Sequence, residues 1–266
     1  MIAESKIANT RPFIHHRVDG SGPALTLIHG VGARLESWDR VTERLAGRFQ
    51  VIRLDLRGHG RSGPIEGQCT LDDFAADVRD TWNRLGIAKS HLAGFSLGGL
   101  IAQSLAISDP ARIDDLIILS AVAGRTPEER AKVVDRLKVV QMEGIGSVTS
   151  AAAERWFTPE FRAEHPDKVA ARLEELRQND PQSYAAAYTV FATSDLGDQL
   201  HLIRQRTLVA TGENDPGSNV RMARMMHERI AGSELVILPR LRHSVLVEAP
   251  DMVADLILEF LLRKNQ

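Results

Sequence analysis

The stretch HLAGFSLGGLIAQSLA, His91 to Ala106, decides the fold. One apolar run, HLAGF, stops at Ser96, and a second begins at Leu97 and continues to Ile107. Gly94-Phe95-Ser96-Leu97-Gly98 matches G-x-S-x-G. The pattern alone is weak evidence. Between a strand and a helix it describes a sharp turn that strains the serine backbone and lifts its Oγ above the sheet edge. Gly94 and Gly98 let strand and helix approach closely. The helix N-terminus supplies free N–H groups and positive potential for an oxyanion.

On either side of this stretch, short apolar runs alternate with amphipathic stretches. PFIHHRV (Pro12–Val18) reads as a first strand and DGSGP (Asp19–Pro23) as a turn. ALTLIH (Ala24–His29), QVIRLD (Gln50–Asp55), DLIILS (Asp115–Ser120), TLVATG (Thr207–Gly212) and ELVILP (Glu234–Pro239) read as further strands. Continuous apolar runs of this length suit strands buried on both faces of a parallel sheet. Thr70 with Asp73 caps a helix whose apolar face is Leu71, Phe74, Ala75, Val78, Trp82 and Leu85, and Gly86 ends it. Pro250 opens a last helix. The alternation predicts an α/β fold, a mostly parallel doubly wound sheet with right-handed crossovers.

From Gly124 to Leu200 the alternation breaks. Thr126-Pro127 and Asp180-Pro181 start helices, each with proline at the first helical position. The expected organisation is a core of residues 1–123 and 201–266 with a helical cap insertion, 124–200. Such a cap would sit over the carboxyl ends of the strands, where open α/β sheets bind ligands.

Composition bounds the function. The chain has 266 residues, 43% hydrophobic and 26% charged, with net charge -2. No basic block argues for nucleic acid or a membrane surface. No run of about 18 apolar residues suggests a membrane span. The N-terminus, Met1 to Phe13, is polar and lacks the apolar core of a signal peptide. Cys69 is the single cysteine, which fits a reducing, cytoplasmic setting. No H-E-x-x-H or Cys/His cluster calls for a metal, and R-G-H-G-R-S-G has the wrong spacing for a dinucleotide. No cofactor is expected.

A serine hydroxyl needs a base, and the base needs an orienting carboxylate. His243 lies in LPRLRHSVLVEAP, after the last predicted strand. Asp215 lies in TGENDPGS, after the preceding one. Three strand ends thus carry Ser96, Asp215 and His243, in the chain order nucleophile, acid, base. Glu213, two residues before Asp215, is a rival acid. His29 and His59 flank glycines and are read as braces for loop backbone. His15 and His16 fall on the early strand, away from the chemistry, and Cys69 is a bystander.

LIHGVG, DLRGHGRSG, GFSLGG, GENDP and RHSVLVEAP together resemble the α/β-hydrolase superfamily over nearly the whole chain. The resemblance implies Ser96 as nucleophile, His243 as general base and then acid, and Asp215 as orienting acid. It implies an oxyanion hole from the backbone N–H groups of Val31 and Leu97. ERWFTPEF (Glu154–Phe161) and NDPQSYAAAYTVFATSDL (Asn179–Leu196) are similar to the cap of 3-oxoadipate enol-lactonases, which open an enol lactone to a 3-oxo acid. Two segments depart from that family. HGVGARLESW stands where a serine-rich oxyanion loop is common, and GENDPGSNVRM lacks a threonine-proline continuation.

A carboxylate-bearing lactone or ester needs a cation or several donors in the pocket. Arg155, beside Trp156, and Arg125, where the cap begins, are the candidates, with Trp156 and Tyr188 as pocket aromatics. Trp156, Tyr184, Tyr188 and Phe191 are more often helix-packing residues than pocket lining, and Trp38 is expected to pack under the oxyanion loop. The expected partner is a small-molecule ester or lactone. A general carboxylesterase and a carbon–carbon hydrolase of ring-cleavage products share the triad. A perhydrolase side activity and a non-catalytic ligand receptor share the fold.

Overall fold

The computed structural model describes residues 12–263. The reading of the polar N-terminal stretch therefore lies almost wholly outside the described residues. The chain runs β1 (His16–Asp19), β2 (Ala24–Ile28), α1 (Asp39–Leu45), β3 (Gln50–Leu54), α2 (Leu71–Leu85), β4 (Ser90–Phe95), α3 (Leu97–Ser108) and β5 (Ile113–Leu119). Five helices follow: α4 (Pro127–Glu143), α5 (Thr149–Trp156), α6 (Pro159–Glu164), α7 (Pro166–Arg177) and α8 (Pro181–Thr193). The chain then returns through β6 (Arg206–Gly212), α9 (Val220–Arg229), β7 (Glu234–Leu238), α10 (Val245–Glu248) and α11 (Pro250–Leu262). The sheet order is β1-β3-β2-β4-β5-β6-β7, with β1 antiparallel to β3 and every other pair parallel.

Both sheet faces are covered, and the strands show why. Along β5, Leu116 and Ile118 join the buried cluster that holds Phe74, Val78 and Trp82 of α2. Ile117 and Leu119 join the opposite one, with Val41 and Leu45 of α1 and Ile257 and Phe260 of α11. Side chains alternate across a strand, so an unbroken apolar run feeds two helical layers at once. All four are fully buried, and each contributes about 1.5–3 kcal/mol relative to exposure. Trp82 has a polar handle in this core: its Nε1 donates to Thr26 Oγ1 at 2.8 Å.

Helix boundaries follow the capping residues. Thr70 and Asp73 form a reciprocal capping box on α2, and Gly86 takes the left-handed conformation at its end, with φ 68°. Thr126 and Glu129 cap α4 in the same way, and Asp180 accepts from Ser183 N–H at the start of α8. No strand interrupts the chain between β5 and β6 among the described residues. The helices there share a small core of their own, including Val133, Leu137, Val140, Val148, Tyr184 and Tyr188.

Two expectations are corrected. The first strand begins at His16 rather than Pro12. Phe13 and His15 instead bond to the loop after β3: Gly63 N–H donates to Phe13 O, and His15 N–H donates to Ser62 Oγ. The final strand, β7, is not buried on both faces. It is the sheet edge, and only Leu238 in it is fully enclosed. No helix among the described residues is long and apolar enough to cross a membrane.

Candidate active site

Ser96 follows the last residue of β4 and caps α3, with φ 55° and ψ −116°. Few non-glycine residues tolerate that conformation, so the surroundings must enforce it. The Ser96 N–H donates to Leu119 O at 3.0 Å, which ties the turn to β5. A Cβ on Gly94 would lie 2.1 Å from Gly98 O, and one on Gly98 would lie 2.2 Å from Ile28 O. The close approach that presents Ser96 is therefore open only to glycine at both positions.

The structure brings Ser96, His243 and Asp215 together. His243 Nε2 lies 3.2 Å from Ser96 Oγ, and its Nδ1 lies 2.7 Å from Asp215 Oδ2. A carboxylate at Nδ1 favours the tautomer with its proton there and leaves Nε2 free to accept from the serine. Asp215 is buried, and its Oδ1 accepts from the N–H groups of Gly217 and Ser218, both at 2.9 Å. The His243 ring packs on Phe95, centroids 5.0 Å apart. Ser244 N–H donates to Trp156 O at 2.9 Å, so the histidine loop is fastened to the end of α5.

Val31 and Leu97 flank Ser96. Among the described residues, neither backbone N–H donates a hydrogen bond. The loop carrying Val31 is held from several sides. Gly32 N–H donates to His59 Nε2 at 2.9 Å, and Gly32 O accepts from Arg172 at 3.0 Å and Asn179 at 3.3 Å. His29 bridges Gly30 O and Leu56 N–H. Burial lowers the pKa of His29 to about 4 and that of His59 to about 3. Both rings are neutral at physiological pH, so Nε2 of His29 accepts from Leu56 N–H and Nε2 of His59 from Gly32 N–H, while His29 Nδ1–H donates to Gly30 O. His15, read as remote, joins the same network behind the loop. Its Nδ1 meets Asp55, which also accepts from Leu35 and Arg61 N–H. Trp38 is fully buried at the end of the turn that follows this loop.

A cavity opens over Ser96 and His243, and Val31, Arg155, Trp156 and Tyr188 line it. Arg125, the other cation expected there, does not. Its guanidinium donates to the carbonyls of Ser194 and Phe191 and stacks on the Phe191 ring at 4.7 Å. It fastens the start of the helical segment to its end. Two arginines that the sequence reading missed, Arg136 of α4 and Arg172 of α7, line the cavity instead. Arg136 Nε donates to Tyr188 Oη at 3.1 Å. Neither Arg136 nor Arg155 pairs with a carboxylate among the described residues. Burial and the neighbouring Arg136 charge hold the Arg155 pKa below its ordinary value. Arg172 lies over the Trp156 ring at 4.6 Å and beside Glu175 at 3.5 Å. Tyr184, Tyr188 and Phe191 both line the cavity and pack the helical segment.

No group of three His, Cys, Asp or Glu side chains among the described residues is placed to hold a metal ion. Cys69 is half-buried, and burial pushes its thiol up to about 11, which leaves it inert.

A strained serine on a strand-to-helix turn, backed by a histidine and an acid from later strand ends, defines a class of fold and site. This chain belongs to the α/β-hydrolase family: the model described as the alpha/beta hydrolase fold matches residues 23–250. It is a hydrolytic enzyme. It is 29% identical over 256 residues to (E)-2-((N-methylformamido)methylene)succinate hydrolase of Acinetobacter baylyi, covering 95% of each chain. It is 32% identical over 216 residues to 3-oxoadipate enol-lactonase 2 of the same organism, covering 81% of this chain and 80% of that one. The solved enol-lactonase of Burkholderia xenovorans LB400 superposes with a TM-score of 0.88 at 27% identity, covering 94% and 96% of the two chains.

Proposed function

We propose that this chain is a cofactor-free serine hydrolase that opens a small carboxylate-bearing lactone or ester of the 3-oxoadipate enol-lactone type. Residues 124–200 form its cap. The observation that carries the substrate class is the pair Arg136 and Arg155. Two guanidinium groups without carboxylate partners line the cavity over Ser96. Half-buried cations left unpaired by the protein are suited to an anionic ligand. The similarity to enol-lactonases supports the same reading.

The chemistry follows from the geometry. Ser96 Oγ attacks the acyl carbon while His243 Nε2 takes its proton. Negative charge grows on the carbonyl oxygen, and the N–H groups of Val31 and Leu97 receive it. Asp215 holds the imidazolium that forms. His243 then returns the proton to the departing enolate or alkoxide oxygen. For a lactone this oxygen stays tethered to the acyl group on Ser96. Water, deprotonated by His243, hydrolyses the acyl-enzyme and releases the acid.

One observation favours a second reading. Arg136 and Arg155 are two cations without carboxylate partners among the described residues, so a substrate with two carboxylates would find one for each. The N-formyl enamine succinate named for the Acinetobacter baylyi hydrolase is such a compound. Its amide carbonyl would be attacked by the same serine.

Turnover of freshly generated 3-oxoadipate enol-lactone, followed by ultraviolet loss, tests the first reading. Rapid loss supports it. Cleavage of simple aryl esters with no loss of the lactone would keep the hydrolase and reject the substrate.

A further inference from the structure

A second cavity abuts the one over Ser96. Arg136, Phe191, Pro216 and Gly217 line both. One wall is α4, with Glu129, Lys132, Val133 and Arg136; the other is the loop that carries Asp215. We infer that this cavity is the port through which anionic substrate enters and anionic product leaves, with Lys132 as its outer cation and Arg136 as the inner one. The inference rests on the reading of Ser96 as the hydrolytic centre.

The charge balance of the walls carries the argument. Arg125, Lys132 and Arg136 line the port, against a single carboxylate, Glu129. That carboxylate is already engaged: Thr126 N–H, Asn219 Nδ2 and Arg221 all donate to it. The Arg125 guanidinium is turned onto two backbone carbonyls. Lys132 is exposed and makes no ion pair within 4 Å among the described residues. Glu128, one turn earlier on α4, is also exposed and feels its charge. Arg136 reaches both spaces and binds Tyr188 Oη on the inner side. An anion moving inward therefore passes from Lys132 to Arg136 and then to Arg155.

Hydrolysis makes the direction of release matter as well. Opening an ester or lactone adds water and leaves a new carboxylate, so the product carries one more negative charge than the substrate. A graded line of cations keeps that charge compensated on the way out. Cavities lined by one sign of charge raise association rates by about 10–10³, and salt removes the effect because the screening length is about 10 Å at 0.1 M.

The test is Lys132→Glu, assayed with mono-4-nitrophenyl glutarate and with the neutral 4-nitrophenyl butyrate. At an ionic strength of about 0.01 M, kcat/KM for the anionic ester should fall about 5–20-fold, with the loss shrinking to within about twofold at 0.5 M. The neutral ester should change by less than about twofold at either salt. Calorimetric titration of glutarate into Ser96→Ala should show binding several-fold weaker once Lys132→Glu is added. Equal losses on both esters, or no loss on the anionic one, would overturn the port. Were the wild type to cleave neither ester, the Lys132→Glu comparison would be made on the enol lactone at the two salt concentrations, the Ser96 reading would fail only if that lactone too were untouched, and the glutarate titration would still decide the port.

Discussion

Asp215 and Glu213 stand two residues apart in one loop, yet only Asp215 reaches His243. Its Oδ2 lies 2.7 Å from Nδ1, whereas the exposed Glu213 accepts from Arg240 N–H at 2.7 Å. Asp215→Asn should lower kcat by about 10⁴, because the amide supports the wrong imidazole tautomer. Glu213→Gln should stay within about twofold of wild type, as surface changes usually do. Steady-state kinetics on one activated ester compares them, and a large loss in Glu213→Gln would reassign the acid.

Arg136 and Arg155 are expected to act on charge. A hydrogen bond to a charged group contributes about 1.5–3 kcal/mol, which is about 10–100-fold in binding. Arg155→Ala and Arg136→Ala should each lower kcat/KM for a carboxylate-bearing ester by that factor, and much less for its neutral counterpart. Parallel kinetics on the two esters measure the difference. Equal effects on both would assign the arginines to packing.

The helix behind Ser96 leaves no room for a methyl group at Gly98. A Cβ there would sit 2.2 Å from Ile28 O and 2.7 Å from His29 O, both main-chain atoms that cannot swing aside. Gly98→Ala should cost at least about 3 kcal/mol, read as a lower urea midpoint or as insoluble protein. A midpoint unchanged from wild type would contradict the close approach.

Stability should fall on mild acidification. His29 and His59 titrate near 4 and 3 when folded, against 6.5 for the ordinary side chain. Between those values the unfolded chain binds protons that the folded chain does not. Stability is therefore full above about 6.5 and declines as the pH falls below it. Each buried ring contributes about 2 kcal/mol to the difference between pH 7.5 and pH 5. Glu175 and Glu248, both raised by burial, oppose the trend, because the folded chain takes up their protons at a higher pH than the unfolded chain does. Urea midpoints at the two pH values measure it. A midpoint that does not move would show that the histidines are not buried neutral.

Much of this architecture is legible in the sequence. The strand-turn-helix around Ser96 declares itself because an apolar run, a G-x-S-x-G turn and a second apolar run have one compatible geometry. The helix starts at Thr70, Thr126 and Asp180 are legible because capping is local chemistry. The cavity walls are less so. Arg136 lies in PEERAKVVDRLKVVQME, where most charged residues face solvent and none is marked by spacing. Whether Arg125 or Arg136 faces Ser96 depends on how α4 packs against α8, a long-range contact that no local pattern encodes. The edge position of β7 is hidden for a related reason. ELVIL is as apolar as the central strands, and only the order of strands leaves its outer edge unpaired.

The proposed chemistry turns on Ser96 as the nucleophile. Turnover of one activated ester by wild type and by Ser96→Ala, side by side and with matched thermal melts, tests it most directly. In Ser96→Ala kcat should fall by about 10⁴–10⁶-fold with the fold intact. Near-wild-type turnover by Ser96→Ala would contradict it.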